Sequence, residues 1–272
     1  MDMKCFLMKV NDVNLKVCDS GKEYDSREVL VFLHGSPGQI SNWKYQVKYF
    51  EKVYRTIVFD QRGYGESDKP KKVCLEDYIN DLDTILEKLN IDLKHVVLIG
   101  HSFGGMVAQT YAAKRNISKL VLIGSLVRYK PEIFDKIIWY MPSILWKKIL
   151  FTKNFLTMRL YRDIYFSKSC PDDIFNEFMA DNEKYIESLP AYVYRYLKYF
   201  VNYDAIDLLK KISIPTLIIV GGEDKVTPPE YSKKISELIP NSKLVIIKNA
   251  GHLVLYEKHD ELNKVIHEFI ES

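Results

Sequence analysis

LIGHSFGGMVAQ, residues 98–109, decides how the rest of the chain is read. The apolar run HVVLI at 95–99 feeds into Gly100. Ser102 follows, and then Gly104 and Gly105 lead into a helical pattern carried by Met106, Val107, Thr110 and Tyr111. The spacing is G-x-S-x-G at a strand-to-helix turn. A serine held on so tight a turn takes a strained backbone conformation that lifts its Oγ into the open. Small residues two positions to either side let strand and helix approach without collision. The N–H of Phe103, at the start of the helix, is left to face a developing negative charge.

A serine hydroxyl is a weak nucleophile without a base, so a histidine and an acid are sought downstream. Asp224 follows the apolar run PTLIIV (215–220) in GGEDKVTP, and His252 follows KLVII (243–247) in NAGHLV. Both stand just past strand ends, where open α/β sheets place their sites. Glu223 is the rival acid, and Asp224 is preferred from its place ahead of Pro228. Upstream, HGSPG (34–38) follows VLVFL and supplies a second backbone N–H for an oxyanion, that of Ser36. DQRGYGES (60–67) follows TIVF (56–59), and its Asp60 and Arg62 are read as bracing a tight loop.

The runs at 29–33, 56–59, 95–99, 119–123, 215–220 and 243–247 are continuously apolar rather than alternating. That suits strands covered on both faces, as in a parallel sheet. Leu75, Tyr78, Ile79, Leu82, Ile85, Leu86 and Leu89 step along one helical face, as do Leu262, Val265, Ile266, Phe269 and Ile270. Strands alternating with helices give an α/β fold with right-handed crossovers. Residues 4–10 and 13–19 read as an edge hairpin turning at Asn11-Asp12.

The alternation stops between 126 and 203. These 78 residues hold 19 of the chain's 35 aromatics, and the segment reads as a helical insertion in a core formed by 1–125 and 204–272. Trp139, Trp146, Tyr194 and Tyr199 are its candidate substrate contacts, since aromatic walls suit apolar groups. KIIWYMPSILWKKIL, with its basic flanks, also permits a lid at a lipid interface.

Composition sets the outer bounds. With 39 basic and 36 acidic residues the net charge is +3, which argues against a nucleic-acid surface. No apolar window reaches the length of a membrane span, so no stable membrane insertion is expected. The four cysteines, Cys5, Cys18, Cys74 and Cys170, show no metal spacing. They read as reduced thiols of a cytoplasmic protein. Neither a metal nor a cofactor is called for, and the expected partner is a small-molecule substrate. The sequence says nothing of oligomeric state.

Taken in order, HGSPG, DQRGYGES, GHSFGG, GGEDKVTP and AGH resemble the α/β-hydrolase superfamily of the single-cap kind, over nearly the whole chain. The resemblance implies a mostly parallel eight-stranded sheet flanked by helices, a triad of Ser102, Asp224 and His252, and 126–203 as a helical cap over the site. HGSPG with DQRGYGES is similar to proline iminopeptidases and peroxidase-like esterases. Ser36 and GHSFGG depart from the peptidase pattern, in which cap glutamates hold a free amino terminus; Glu177, Glu183 and Glu187 are the residues available here. The expected activity is hydrolysis of carboxylic esters with small to medium apolar groups. Aminopeptidase, lactone and C–C bond hydrolysis are the alternatives, and a non-catalytic small-molecule receptor is a further one. Serine at the turn, rather than aspartate, argues against epoxide hydrolase chemistry.

Overall fold

The computed structural model describes residues 3–21, 28–131, 133–143, 146–147 and 154–272. Eight strands form one sheet: β1 Lys4–Val10, β2 Val13–Asp19, β3 Val29–Leu33, β4 Arg55–Phe59, β5 Val96–His101, β6 Lys119–Ile123, β7 Thr216–Gly221 and β8 Ser242–Ile247. Their order is β1-β2-β4-β3-β5-β6-β7-β8. β1 and β2 pair antiparallel, β2 joins β4 antiparallel, and every later pairing is parallel.

The continuously apolar runs have a simple cause. Successive side chains of a strand point to opposite faces, and both faces here are covered. Val96 and Leu98 of β5 enter one core, with Ile79, Leu82 and Leu86 of helix α2 (Leu75–Lys88) and Met106 and Val107 of helix α3 (Phe103–Ala112). Val97 and Ile99 enter the other. There they join Phe50 of helix α1 (Lys44–Phe50) and Leu262, Ile266 and Ile270 of the C-terminal helix His259–Glu271. The edge strands β1 and β8 leave most of their residues partly or fully open.

β3 lies between β4 and β5, so the chain leaves it toward one side of the sheet and later returns on the other. At such a reversal the loops beyond the carboxyl ends of the strands diverge and leave a crevice. The loop after β3 carries His34–Gly38, and the turn after β5 carries Ser102.

Between β6 and β7 the described residues form helices α4 (Ile133–Tyr140), α5 (Phe155–Tyr165) and α6 (Asp172–Ser188), followed by a 3₁₀ stretch, Val193–Phe200. Tyr196 and Phe200 belong to the first core and Phe175 and Phe178 to the second. Helix α6 is also tied down by polar contacts. Lys44 Nζ meets Glu177 at 2.6 Å and also Asp181, Tyr45 OH donates to Glu177 at 2.6 Å, and Asn42 Nδ2 donates to Asn182 at 3.0 Å.

The cysteine expectation fails at one pair. Cys5 and Cys18 form a disulfide, with Cα atoms 4.1 Å apart. They are direct partners in the β1–β2 register, symmetric about the Asn11-Asp12 turn. Directly opposed residues of an antiparallel pair are the positions close enough to be bridged. Cys74 and Cys170 are free thiols.

Candidate active site

Ser102 has φ 53° and ψ −117°, in the positive-φ region that non-glycine residues rarely occupy. Its N–H donates to the Ile123 carbonyl at 2.9 Å, anchoring it to β6, while its carbonyl already accepts from Gly105 and Met106. Helix α3 therefore starts one residue after the strand stops. Glycine is required on both sides. A Cβ on Gly104 would stand 2.2 Å from the Leu33 carbonyl oxygen, and one on Gly100 would stand 2.4 Å from the Gly104 carbonyl oxygen. The HGSPG loop lies directly above: a Cβ at Gly35 would come within 3.2 Å of Ser102 Cβ.

Asp224 and His252, from the loops after β7 and β8, are brought together. His252 Nδ1 donates to Asp224 Oδ2 at 2.8 Å, and both side chains are almost fully buried. The other oxygen, Oδ1, accepts from the N–H groups of Val226 (2.9 Å) and Thr227 (2.8 Å). The Thr227 hydroxyl donates to the Gly124 carbonyl or to Asp224 Oδ2, each at 2.9 Å, and lies 3.2 Å from His252 Nδ1. Burial pushes the Asp224 carboxyl up. The adjacent His252 ring and the Thr227 donors outweigh burial and hold it below the ordinary carboxylate range. The imidazole is thus fixed with Nδ1 protonated and Nε2 left as the basic nitrogen. Gly124, at the end of β6, joins the two halves of the site. It follows Ile123, which holds Ser102, and a Cβ on it would lie 3.2 Å from Asp224 Oδ2 and 3.4 Å from His252 Cε1.

Glu223, the rival acid, faces elsewhere: its Oε2 accepts from the Lys168 N–H at 2.9 Å. That contact is one of a set. Leu253 N–H donates to the Tyr165 carbonyl at 3.0 Å, and Lys225 Nζ donates to the Asp163 carbonyl at 2.5 Å. Glu257 accepts from Gly251 N–H (2.7 Å) through one oxygen and from Ser167 N–H (2.9 Å) through the other. The loops carrying Asp224 and His252 therefore both grip the main chain at residues 163–168 of the inserted segment. Tyr165 also brings its ring to 6.1 Å from that of His252.

Ser36 Oγ is 2.8 Å from the hydroxyl of Tyr64, a fully buried residue of the DQRGYGES loop. Asp60 of that loop accepts from the N–H groups of Ile40 and Glu66, each at 2.7 Å, and Arg62 is paired with Asp81 at 2.6 and 2.7 Å. Sequence reasoning missed Tyr64, Thr227, Tyr165 and Glu257 as neighbours of the site. Of the four aromatics expected to contact substrate, Trp139 and Trp146 are buried. Trp146 meets Tyr194 edge-on at 5.8 Å, and Tyr199 is half exposed with its hydroxyl 3.5 Å from the Lys71 carbonyl.

Two further histidines are buried as neutral rings. His34 accepts from Gln61 N–H at Nε2 (3.0 Å) and donates from Nδ1 to the Gly35 carbonyl (2.8 Å), so a second proton would face an N–H. Burial lowers its pKa to about 4. His101 donates from Nε2 to the His252 carbonyl at 3.0 Å, and burial, with the nearby His252 ring, lowers it to about 3. In the folded chain both rings resist a proton that the unfolded chain accepts near pH 6.5. Stability from this source is complete above pH 6.5 and falls as pH drops toward the folded values, by up to about 1.4 kcal/mol per pH unit per ring. Asp60 and Glu257, raised by burial, act in the opposite sense. Comparison with His101→Gln isolates the histidine part: urea midpoints measured between pH 7 and pH 4 are expected to fall less steeply in the variant.

A strained serine between glycines, a buried acid–imidazole pair and a flanking glycine-rich loop, all at the carboxyl edge of a parallel sheet, are the features of one class of proteins. The chain belongs to the alpha/beta hydrolase fold family, whose pattern it matches over residues 28–259. It is similar to the proline iminopeptidase PfmaB of Pestalotiopsis fici, at 29% identity across 90% of this chain and 92% of that protein. It is also similar to epoxide hydrolase 4 of Homo sapiens, at 26% identity across 95% of this chain and 78% of that protein. Among solved structures, a bromoperoxidase from Bacillus anthracis superposes with a TM-score of 0.84 at 24% identity, covering 99% of this chain and all of that one. Among the described residues no helix is long and apolar enough to cross a membrane.

Proposed function

We propose that the protein is a serine hydrolase of carboxylic esters with small to medium apolar groups, using Ser102 as nucleophile, His252 as base and Asp224 as its orienting acid. The observation that carries the reading is the buried 2.8 Å Asp224–His252 hydrogen bond against Gly124, the residue that follows the Ile123 carbonyl holding Ser102 at its positive φ. His252 Nε2 takes the Ser102 proton as Oγ attacks the acyl carbon. The N–H groups of Phe103, unpartnered within its helix, and of Ser36 receive the oxyanion. The alcohol leaves with the proton held by His252, and a water deprotonated by the same nitrogen releases the acid and restores Ser102.

In this reading residues 126–203 form the cap, and Trp139, Trp146, Tyr194 and Tyr199 shape the substrate pocket. A serine at the turn offers no carboxylate to open an epoxide, which separates this chain's chemistry from that named for its epoxide hydrolase relative. An aminopeptidase of the proline iminopeptidase type is the second reading, favoured by the similarity to PfmaB. Against it, Glu177, one of the glutamates available to hold a substrate amine, is engaged by Lys44 and Tyr45 at 2.6 Å. Rates on p-nitrophenyl esters of graded chain length, set beside proline p-nitroanilide, test the choice. Ester turnover with a chain-length optimum supports the proposal, and dominant amide turnover replaces it with the second reading.

Glu257 enters here as a positioning residue, because its two oxygens join the His252 loop to residue 167 of the cap. Glu257→Gln puts an amide N–H against one of the two backbone N–H groups. The expected loss is about 1–3 kcal/mol of stability together with about tenfold in kcat/KM on a soluble ester. A melting curve and steady-state kinetics check both. A lowered Tm with unchanged kcat/KM would reduce Glu257 to a structural role.

A further inference from the structure

Helix α4 buries one side and leaves the other bare. Ile138 and Trp139 face the second core, and the Ile138 carbonyl is held by Arg195 Nε at 3.1 Å. On the outside Ile133 (79% exposed), Ile137, Tyr140 (69% exposed) and Met141 lie at i, i+4, i+7 and i+8, one apolar stripe on one helical face. Later in the same inserted segment Phe155 and Leu156 are exposed as well. Scattered exposed apolar residues need no explanation; a stripe at helical spacing does.

Basic residues outnumber acidic ones in the stretch of sequence that carries the stripe. Residues 128–159 contain seven Lys or Arg and two Asp or Glu, while the remaining 32 basic and 34 acidic residues leave the rest of the chain slightly negative. The basic excess of the whole sequence therefore falls within this stretch of it. Lys136 is exposed on α4 itself, between Ile133 and Ile137. Lys198 is exposed with its Nζ 4.5 Å from the centroid of the Tyr140 ring. A second copy docked stripe to stripe would bring two such cationic segments together, which disfavours self-association through this face. An apolar face edged with lysines is the arrangement by which a helix lies in the headgroup region of an anionic bilayer.

We propose that the outer face of α4, with Ile133, Ile137, Tyr140 and Met141 as the inserted side chains and Lys136 and Lys198 at the rim, docks this protein reversibly on anionic phospholipid surfaces. The attachment is peripheral, and it does not depend on the ester-hydrolase reading. Ser102→Ala protein is expected to bind vesicles as the wild type does, so a failure of one proposal leaves the other standing.

Cosedimentation tests it, with vesicles of phosphatidylcholine alone and of equal parts phosphatidylcholine and phosphatidylglycerol, at low and high salt. The expected result is a partition about tenfold or more in favour of the anionic vesicles, weakened by salt. The variant Ile133→Glu/Tyr140→Glu is expected to lose about tenfold or more of that binding while keeping the wild-type melting curve. If that variant fails to fold, Lys136→Glu/Lys198→Glu replaces it, with loss of the anionic preference as the expected result. Absence of binding to both vesicles, equal binding to both, or undiminished binding by a folded variant would overturn the proposal. So would a wild-type dimer in sedimentation velocity that the first variant dissolves, since the stripe would then be covered by a second copy.

Discussion

Ser102→Ala is expected to lower kcat on any ester the protein hydrolyses by a factor of about 10⁴ or more. The residual rate would come from the oxyanion donors and substrate binding alone. Asp224→Asn is expected to cost about 10⁴ as well, for a different reason. The amide has the size of the carboxylate, but it offers an N–H where Oδ1 accepts from Val226 and Thr227 or where Oδ2 accepts from His252. Either the loop or the imidazole tautomer must change. If the ring turns to present a protonated nitrogen to Ser102, the base is lost while the fold survives. The two variants are not expected to add, because each disables the same proton transfer. A fluorophosphonate should label the wild type at Ser102, label Asp224→Asn slowly, and not label Ser102→Ala. Equal labelling of wild type and Asp224→Asn would remove Asp224 from the mechanism.

The second large effect is on folding. Gly104→Ala would place a methyl 2.2 Å from the Leu33 carbonyl oxygen and 2.6 Å from that of His34. Both obstacles are main chain. Leu33 ends β3, which is paired on both sides, with β4 and with β5, and cannot retreat without disturbing that ladder. The expected loss is about 3–5 kcal/mol, a large share of the stability of an ordinary domain. Gly222→Ala is the control. The nearest atom to its added methyl is 3.4 Å away, and the change is expected to be within about 1 kcal/mol. Urea denaturation of both variants measures the contrast. Equal midpoints would mean that the turn around Ser102 yields more readily than its contacts suggest.

Much of this fold was legible because the sheet is buried on both faces: VLVFL and KLVLI read as strands and are β3 and β6 with the expected bounds. β5 runs two residues beyond its apolar run, through Gly100 to His101. Glycine reads as a strand end, whereas here it stays in the strand so that the helix can pack against it. Asp224 and His252 stand out in the sequence because strand ends are visible there, and the structure hydrogen-bonds them to each other. Tyr64, Thr227 and Tyr165 do not stand out, since each reaches the site across a gap that only tertiary packing closes. The Cys5–Cys18 pair was missed for a narrower reason. Spacing within motifs carries no sign of it, yet the hairpin register about Asn11-Asp12 sets these two opposite each other.

The grip on residues 163–168 bears on how this protein can be remodelled. The groups held there are carbonyls and N–H groups of the main chain, so side chains along this stretch can be exchanged with little effect on the grip itself. Length cannot. Adding or removing a residue between Asp163 and Lys168 would put the main-chain partners on its two sides out of step by one, so that Lys225, Leu253, Glu257 and Glu223 could not all keep their present partners. A corresponding segment transplanted from a relative must bring a turn of the same length at this place. Elsewhere in the inserted segment the composition is open to redesign without disturbing this grip.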